Sequence, residues 1–297
     1  MCLVFVCIKP VINFAINTYI RKKEGRKCMN KKSIFIYCSV IILIFSFCVF
    51  ITENDYEDSI ETNAGTALSN KKIGWGIKRE KDNKQPDLGK VNAELINKYE
   101  GYCMGNSGKK YIYITFDEGY EAGYTEKILD TLKENNVKAT FFITAHYLNT
   151  NEELVKRMID EGHIVGNHTV NHKSMPDISN EEIKKEVMDL HLAIYEKFGY
   201  EMKYIRPPKG EYSERTLNEC NTLGYKTVMW SFAYKDWEEN NQSGEENAKK
   251  MIINNFHNGE IMLLHGNSKD NCNVLGNIIQ EAKNEGYEIR SLDEFEK

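Results

Sequence analysis

Residues 111–116 read YIYITF, an unbroken run of β-branched and aromatic residues that is typical of a buried β-strand. A second run, ATFFIT at residues 139–144, has the same character. Between the two runs, Ile128, Leu129 and Leu132 keep the spacing of one apolar helix face. Apolar strands that alternate with amphipathic helices predict a parallel sheet covered by helices.

The alternation of strands and helices continues from this stretch to the C-terminus. Further strands are predicted at residues 164–166, 204–205, 227–232, 261–264 and 287–292. Helices are predicted near residues 154–159, 183–194, 214–223, 248–256 and 275–283. The pattern amounts to roughly seven β/α units with short connections, which fits either a doubly wound sheet or a closed barrel.

The composition is that of a folded protein with an acidic body. The 297-residue chain has 41% apolar and 28% charged residues, so it can bury a full core. Eight Lys/Arg and one Glu give residues 1–52 a net charge of +7, whereas residues 53–297 carry −12. Nucleic-acid binding needs a basic face that neutralises phosphates. The acidic body therefore argues against a nucleic-acid partner.

Residues 34–51 (IFIYCSVIILIFSFCVFI) contain no charge and are just long enough to cross a bilayer as a helix. Lys31 and Lys32 precede this run and Glu53 follows it. By the positive-inside rule, residues 1–33 are then a basic cytoplasmic N-terminus and the acidic body faces outwards. A cleaved signal peptide is the alternative, but no small-x-small site follows the run, which favours an uncleaved membrane anchor.

The segments on either side of this apolar run differ in composition. We interpret residues 1–28 as an upstream extension of the reading frame, because Met29 is a more natural start. Residues 52–72 are polar and lack periodicity, which predicts a stalk. Residues 73–108 mix charge with aromatic residues and glycines and are predicted to form an N-terminal arm, before the β/α body at residues 109–297.

Polar residues follow several of the predicted strands at the point where each strand ends. These polar clusters are Asp117-Glu118, His168 with His172, Arg206, Asp236 and His265. In a parallel barrel the carboxyl ends of the strands converge on one face, where active sites are built. The coincidence of these clusters at one edge therefore favours the barrel and predicts an active site there.

His168 and His172 are four residues apart, a spacing that brings two imidazoles to one side of a helical turn. A carboxylate from a neighbouring strand end would complete a His₂-carboxylate metal site. Such a site lowers the pKa of bound water to about 7 and polarises a carbonyl. Taken singly, each cluster could also have a purely structural role. Asp236 could cap a helix, and His265 could be a buried imidazole whose hydrogen bonds are all made within the core.

The motifs TFDEGY, HTVNH, RPPKG, DW and LLH, in that order, resemble the five motifs of the carbohydrate-esterase polysaccharide deacetylases, the NodB-homology family. The stretches KQPD, GYEAGYT, RPPKGEYSE and SFAYKDW are further similar to the subgroup of spore-cortex muramic acid de-N-acetylases. The resemblance implies a distorted (β/α) barrel of seven or eight units, with residues 109–297 as the catalytic domain.

The resemblance also implies a catalytic role for each matching residue. Asp117 would be the general base that takes a proton from water. Arg206 would hold Asp117 in place and keep it ionised. His265 would be the general acid that protonates the leaving amine, oriented by Asp236.

The resemblance places Glu118, His168 and His172 at the metal-ligand positions, with zinc as the default ion. Glu118 departs from the pattern, because the broad family has Asp there and the muramic acid subgroup tends to have Asn. The extra methylene displaces the carboxylate, so the identity of the metal is left open. The residues expected to bind substrate or the oxyanion are Pro208, Lys209, Trp237 and Leu263.

Three functions are consistent with the sequence. The first is a membrane-anchored peptidoglycan deacetylase that hydrolyses the acetamide of N-acetylmuramic acid, a step towards muramic δ-lactam, on the cell-wall or spore-envelope side. The second is a deacetylase of N-acetylglucosamine in peptidoglycan or of another glycan. The third is a weakly active or inactive domain that binds wall glycan, because Glu118 would hold a metal poorly.

Overall fold

The computed structural model describes residues 68–297, which form one compact unit. The predictions for the membrane-spanning segment at residues 34–51, and for the segments before it, concern residues outside this described part, as does most of the predicted stalk. Among the helices of residues 68–297, none combines the length and the apolar character that a bilayer crossing requires.

The centre of the structure is a parallel sheet that curls around the apolar core. Its strands are β2 (Tyr111–Glu118), β3 (Thr140–Ile143), β4 (Ile164–Asn167), β5 (Tyr204–Ile205), β7 (Lys226–Thr227), β8 (Glu260–His265) and β9 (Glu288–Ile289). They are hydrogen-bonded in the order β7-β5-β4-β3-β2-β8, and β9 pairs with the start of β2. Every residue of β3 and β4 is buried, as expected of strands covered on both faces.

Helices connect the strands and cover the sheet. They are α1 (Lys90–Lys98), α2 (Thr125–Glu134), α3 (Ala145–Thr150), α4 (Glu152–Asp160), α5 (Asn180–Phe198), α6 (Glu214–Thr222), α7 (Glu245–Ile253) and α8 (Lys269–Asn284). The longest of them, α5, begins with a capping box between Ser179 and Glu182 and ends at Gly199, whose φ of 65° suits a glycine. Its buried residues join the main core, which fixes α5 against the sheet.

The structure confirms the parallel sheet and its alternation with helices, and it shows that the predicted distorted (β/α) barrel is not closed by a continuous ladder. The strand predicted at residues 227–232 ends at Thr227, and within the described residues no continuous ladder joins β7 to β8. An isolated bridge between Phe232 and Met262 connects the two ends of the sheet instead. The bridge consists of the bonds from the Phe232 N–H to the Ile261 carbonyl and from the Leu263 N–H to the Phe232 carbonyl, and the Ser231 N–H donates to the Ile261 carbonyl as well. The sheet is a curled half-barrel.

Residues 68–108 pack against this sheet through a core of their own. The short strands β1 (Ile73–Gly74) and β6 (Glu211–Tyr212) pair antiparallel. The buried residues of this second core are Trp75, Leu88, Ile96, Tyr99, Cys103, Tyr212, Leu217 and Met229. Residues 68–108 are therefore an integral part of the folded unit, and their strand β1 pairs with the residues that follow the turn at Lys209.

Candidate active site

A cavity of about 1220 Å³ opens at the carboxyl ends of the parallel strands. The sequence-predicted residues that line it are Asp117, His168, His172, Lys209, Trp237, Leu263 and His265. Strand register explains part of this convergence, because Asp117 on β2 is the direct neighbour of His265 on β8. Arg206 and Asp236 lie behind the cavity wall, where each contacts one of these two residues.

Asp117 is held by a fully buried arginine. Arg206 donates from Nη1 to Asp117 Oδ1 at 2.8 Å and from Nε to the Val228 carbonyl at 3.1 Å. Its guanidinium also lies 4.2 Å from the ring centre of Phe142, which fixes the plane of the group. Burial raises the pKa of Asp117, but the neighbouring charges, that of Arg206 first, and the Arg206 hydrogen bond together outweigh it and bring the pKa below its usual value. Asp117 is therefore an ionised carboxylate aimed into the cavity.

His265 is oriented by a buried carboxylate. Asp236 Oδ1 lies 2.7 Å from His265 Nδ1, and Asp236 Oδ2 accepts from the His265 backbone N–H at 2.9 Å. Because an ionised carboxylate only accepts, Nδ1 carries a proton. Burial lowers the pKa of His265, but the Asp236 charge, the hydrogen bond to Asp236 and the Asp117 charge together offset this and raise the pKa above the ordinary value. His265 thus has the properties of a general acid near neutral pH.

The two histidines of the HTVNH stretch face each other with ring centres 4.8 Å apart. His168 Nδ1 lies 2.9 Å from the Arg206 carbonyl and therefore donates to it, which leaves Nε2 without a proton, 3.6 Å from Asp117 Oδ2. Burial lowers the pKa of both rings, that of His172 to about 4. Both imidazoles are neutral at pH 7, which is the form that binds a metal ion.

Glu118 does not join these two histidines. Adjacent residues of a strand point to opposite faces, so Glu118 points away from the cavity that Asp117 faces. Its carboxyl group lies against Gly266, where an added Cβ would come within 2.0 Å of Oε1, and Thr125 Oγ1 is 3.5 Å from the same oxygen. Oε2 is buried without a hydrogen-bond partner.

The surroundings of Glu118 also disfavour its charged form. Burial, with smaller contributions from Glu121 and Asp117, holds the pKa of Glu118 well above its usual value. In residues 68–297, no group of three or more His, Cys, Asp or Glu side chains is arranged to hold a metal ion. The imidazoles of His168 and His172 fit a metal, but the predicted third ligand does not converge on them. We therefore derive no catalytic step through a metal.

The predicted substrate-binding residues divide between the cavity and its wall. Lys209 lines the cavity with a left-handed backbone (φ 60°), and Trp237 is 48% exposed at the rim. Leu263 on β8 lines the apolar floor, whereas Pro208 is buried behind the lining. The segment before the sheet supports this turn, because Trp75 donates its backbone N–H to the Gly210 carbonyl at 2.8 Å.

Several residues at the site carry no signal in the sequence. Asn271 on α8 donates to Asp236 Oδ2 at 2.6 Å and accepts from the Tyr234 hydroxyl, so it holds the carboxylate that orients His265. Asn267 donates to the Tyr120 hydroxyl at the cavity rim. Asn271 lies within a helix and Asn267 in the turn after β8, so neither falls at a predicted strand end.

Residues 104–228 match the polysaccharide deacetylase family, and a relative that aligns with 78% of this chain and 89% of its own length is 43% identical over 234 residues. The chain therefore belongs to the polysaccharide deacetylase family, and it is a deacetylase, a hydrolase. That relative is PdaA of Bacillus subtilis, a peptidoglycan-N-acetylmuramic acid deacetylase.

Two further comparisons agree with this assignment. The solved structure of Bacillus subtilis PdaA, a family 4 carbohydrate esterase, superposes with a TM-score of 0.75 at 42% identity, covering 77% of this chain and 98% of that one. A peptidoglycan-N-acetylglucosamine deacetylase of Bacillus cereus is 32% identical over 194 residues, 64% of this chain and 89% of that relative. The fold is therefore the NodB-like fold that the sequence predicts.

Proposed function

We propose that the protein removes the acetyl group from N-acetylmuramic acid in peptidoglycan. The observation that carries the proposal is the pairing of an ionised carboxylate, Asp117, with a proton-carrying imidazole, His265, across one cavity. Their partners shift the two pKa values in opposite directions, below the usual value for Asp117 and above it for His265. Such a separation assigns one group as base and the other as acid.

In the proposed reaction Asp117 takes a proton from a water molecule while the oxygen of that water attacks the acetamide carbonyl carbon. The carbonyl oxygen becomes an oxyanion, for which the backbone N–H of Lys209 at the cavity is the proposed donor. His265 then protonates the amine as the C–N bond breaks, which releases acetate and the free amino sugar. A general base and a general acid each contribute roughly 10²–10⁴-fold to such a reaction.

Two observations support muramic acid as the substrate: a positive charge at the cavity and the name of a relative. Muramic acid differs from glucosamine by a lactyl carboxylate, and Lys209 offers an ammonium group at the cavity for that anion. The relative PdaA of Bacillus subtilis is named a peptidoglycan-N-acetylmuramic acid deacetylase. The second candidate, N-acetylglucosamine, is favoured by the relative from Bacillus cereus.

The setting of the reaction is part of the same proposal. An anchor at residues 34–51 would hold the deacetylase on the outer side of the membrane, next to the wall glycan. The freed amine and the lactyl carboxylate would then lie in one sugar residue, as muramic δ-lactam requires. The family resemblance implies a zinc ion, so the activity is measured with and without added zinc.

Mass spectrometry of muropeptides tests this function directly. The full-length chain in detergent is incubated with peptidoglycan, intact or freed of stem peptides, with and without added zinc. We expect loss of an acetyl group from muramic residues, with at least about a 100-fold lower rate in Asp117→Asn. Asp189→Asn, an exposed aspartate on α5, is the matched control and should keep the wild-type rate.

Each other outcome identifies a competing function. Acetyl loss confined to glucosamine residues would establish the second candidate. No mass change on either glycan, with or without zinc, would support the third function, a domain that binds wall glycan without deacetylating it. A rate that depends on added zinc would show that His168 and His172 bind a metal in spite of the placement of Glu118.

A further inference from the structure

The segment that carries His168 and His172 has a strained backbone. Thr169 has a φ of 69° and His172 a φ of 54°, both in the left-handed region that residues with a Cβ rarely adopt. A β-branched residue is especially disfavoured there, and such conformations persist only where the surrounding structure holds them. The contacts of residues 168–173, the His loop, therefore identify what keeps the two imidazoles in place.

One side chain from a different element makes several of these contacts. Glu186 on α5 is only 4% exposed, and its Oε2 accepts from the Asn171 backbone N–H at 2.7 Å. Its Oε1 accepts from Asn171 Nδ2 at 2.8 Å and lies 3.5 Å from Lys173 Nζ. The Glu186 backbone carbonyl also accepts from the Val170 N–H at 3.0 Å. A single residue thus contacts three residues of the His loop, Val170, Asn171 and Lys173.

The first two residues of the loop are bonded to neighbouring elements. The His168 N–H donates to the Ile143 carbonyl at 2.9 Å, and His168 Nδ1 donates to the Arg206 carbonyl. The Thr169 carbonyl accepts from the Ala145 N–H at 3.3 Å. The start of the loop is thus tied to the sheet.

The remaining bonds are local. The Thr169 N–H donates to Asn167 Oδ1 at 2.9 Å, and the His172 N–H donates to Thr169 Oγ1 at 3.1 Å. The part of the loop that carries His172 is bonded to another element through Glu186. Glu186 can supply that link because α5 is fixed by its capping box and by its buried apolar residues in the main core.

We propose that Glu186 is a positioning residue, which holds the His loop so that His172 faces His168 and Asp117 across the cavity. It lies behind the loop and acts through Asn171, which itself lines the cavity. Charge-assisted hydrogen bonds such as these two are about twice as strong as neutral ones, which suits them to hold a strained segment. The inference concerns the site of the proposed function, but its first readout does not depend on any activity.

The test replaces the carboxylate by an amide of the same shape. In Glu186→Gln one oxygen can still accept the Asn171 N–H, but the amide group faces the Asn171 side-chain donor and that bond is lost. The readout is the ¹H–¹⁵N NMR signals of the His168 and His172 imidazoles in the full-length protein, without substrate. We expect the His172 signals to shift or broaden, while those of the distant His257 stay unchanged.

Two further variants make the result specific. Glu196→Gln, an exposed glutamate on the same helix, should leave all imidazole signals as in the wild type. Combining Glu186→Gln with Asn171→Asp exchanges amide and carboxylate across the contact, so it should return the His172 signals towards their wild-type positions. If Glu186→Gln does not fold, Asn171→Ala removes the same side-chain bond from an exposed position, and the same shift is expected.

Kinetics provide the second readout. Because His172 and Asn171 line the cavity that holds Asp117, their displacement should disturb the reacting geometry, so Glu186→Gln should reduce kcat by about 10- to 100-fold with little change in KM. Unchanged His172 signals together with a kcat equal to that of Glu196→Gln would overturn the proposal. If the wild type does not deacetylate peptidoglycan at all, the proposed function fails and the NMR signals alone decide the role of Glu186.

Discussion

Two histidines lie beside carboxyl groups, His265 at the carboxyl end of strand β8 and His257 three residues before its start, and their pKa values shift in opposite directions. At the carboxyl end, His265 bonds to the Asp236 carboxylate, and its pKa lies above the ordinary value. Before the start of the strand, His257 bonds to the Ser231 hydroxyl at 2.8 Å and to the Asn255 carbonyl at 2.8 Å, and burial lowers its pKa to about 4.

The comparison shows that the bonded partner, not burial, decides the charge of these imidazoles. Burial acts in the same direction on both, because it penalises the charged ring. Only His265 has an ionised oxygen in direct contact with its N–H, and only His265 lines the cavity. Glu260 lies 3.8 Å from His257 Nδ1, and burial raises the pKa of this carboxyl well above its usual value, so it offers the ring little charge.

The largest expected effect comes from removing the charge that distinguishes His265. Asp236→Asn keeps the shape of the site but deletes the carboxylate that raises the His265 pKa. Because the proposed general acid His265 would act in its protonated form, the basic limb of the pH profile of kcat/KM should move to lower pH. The rate should fall by about 10²–10⁴-fold, measured as acetate release across pH 5–9. A basic limb that stays in place would show that another group is the acid.

A smaller effect is expected at the buried His257. In Ser231→Ala, His257 Nε2 and the Ile261 backbone N–H both lose their hydrogen-bond partner in the core. Each unpartnered buried group costs about 1–3 kcal/mol, so the free energy of unfolding in urea should fall by at least that amount. The pH profile of activity should not change. Ser243→Ala, at an exposed position, is the control and should stay within about 0.5 kcal/mol of wild type.

The smallest effect concerns the pH dependence of stability at Glu260. Its folded-state pKa is raised, so its contribution is fully present below the unfolded value near 4.5 and is lost as pH rises towards the folded value. Glu260→Gln removes this dependence. Relative to the variant, the wild type should lose up to about 1.4 kcal/mol per pH unit above pH 4.5. Parallel stability curves for wild type, Glu260→Gln and the exposed control Glu246→Gln would contradict the raised pKa.

The sequence predicts those parts of the site that depend on strand ends. Asp117 and His265 follow apolar strands, and the parallel sheet brings them side by side. The placement of Glu118 also follows from the sequence once β2 is known to continue through residue 118, because strand residues alternate between faces. The sequence pattern alone ends that strand at residue 116, so it leaves the direction of Glu118 open, and only the family resemblance places Glu118 with the two histidines.

Other parts of the site depend on tertiary packing that no local pattern records. Glu186 occupies a helix between the core positions Ile183 and Val187, and only the approach of the His loop gives it a role. The two-residue strands β1 and β6 are too short to produce an alternating pattern. The way the sheet closes cannot be predicted from the sequence either, because a single bridge between Phe232 and Met262 takes the place of a continuous ladder.

The hydrogen bond from Trp75 to the Gly210 carbonyl has a consequence for how far the catalytic unit extends. The family match begins at residue 104, yet the strand that pairs with the Lys209 turn lies some thirty residues earlier, in β1. A version of this protein trimmed to the family boundary would lose both the partner strand and the indole that bonds the Trp230 carbonyl. Any transplant of this deacetylase into another protein has to carry residues 68–103 with it.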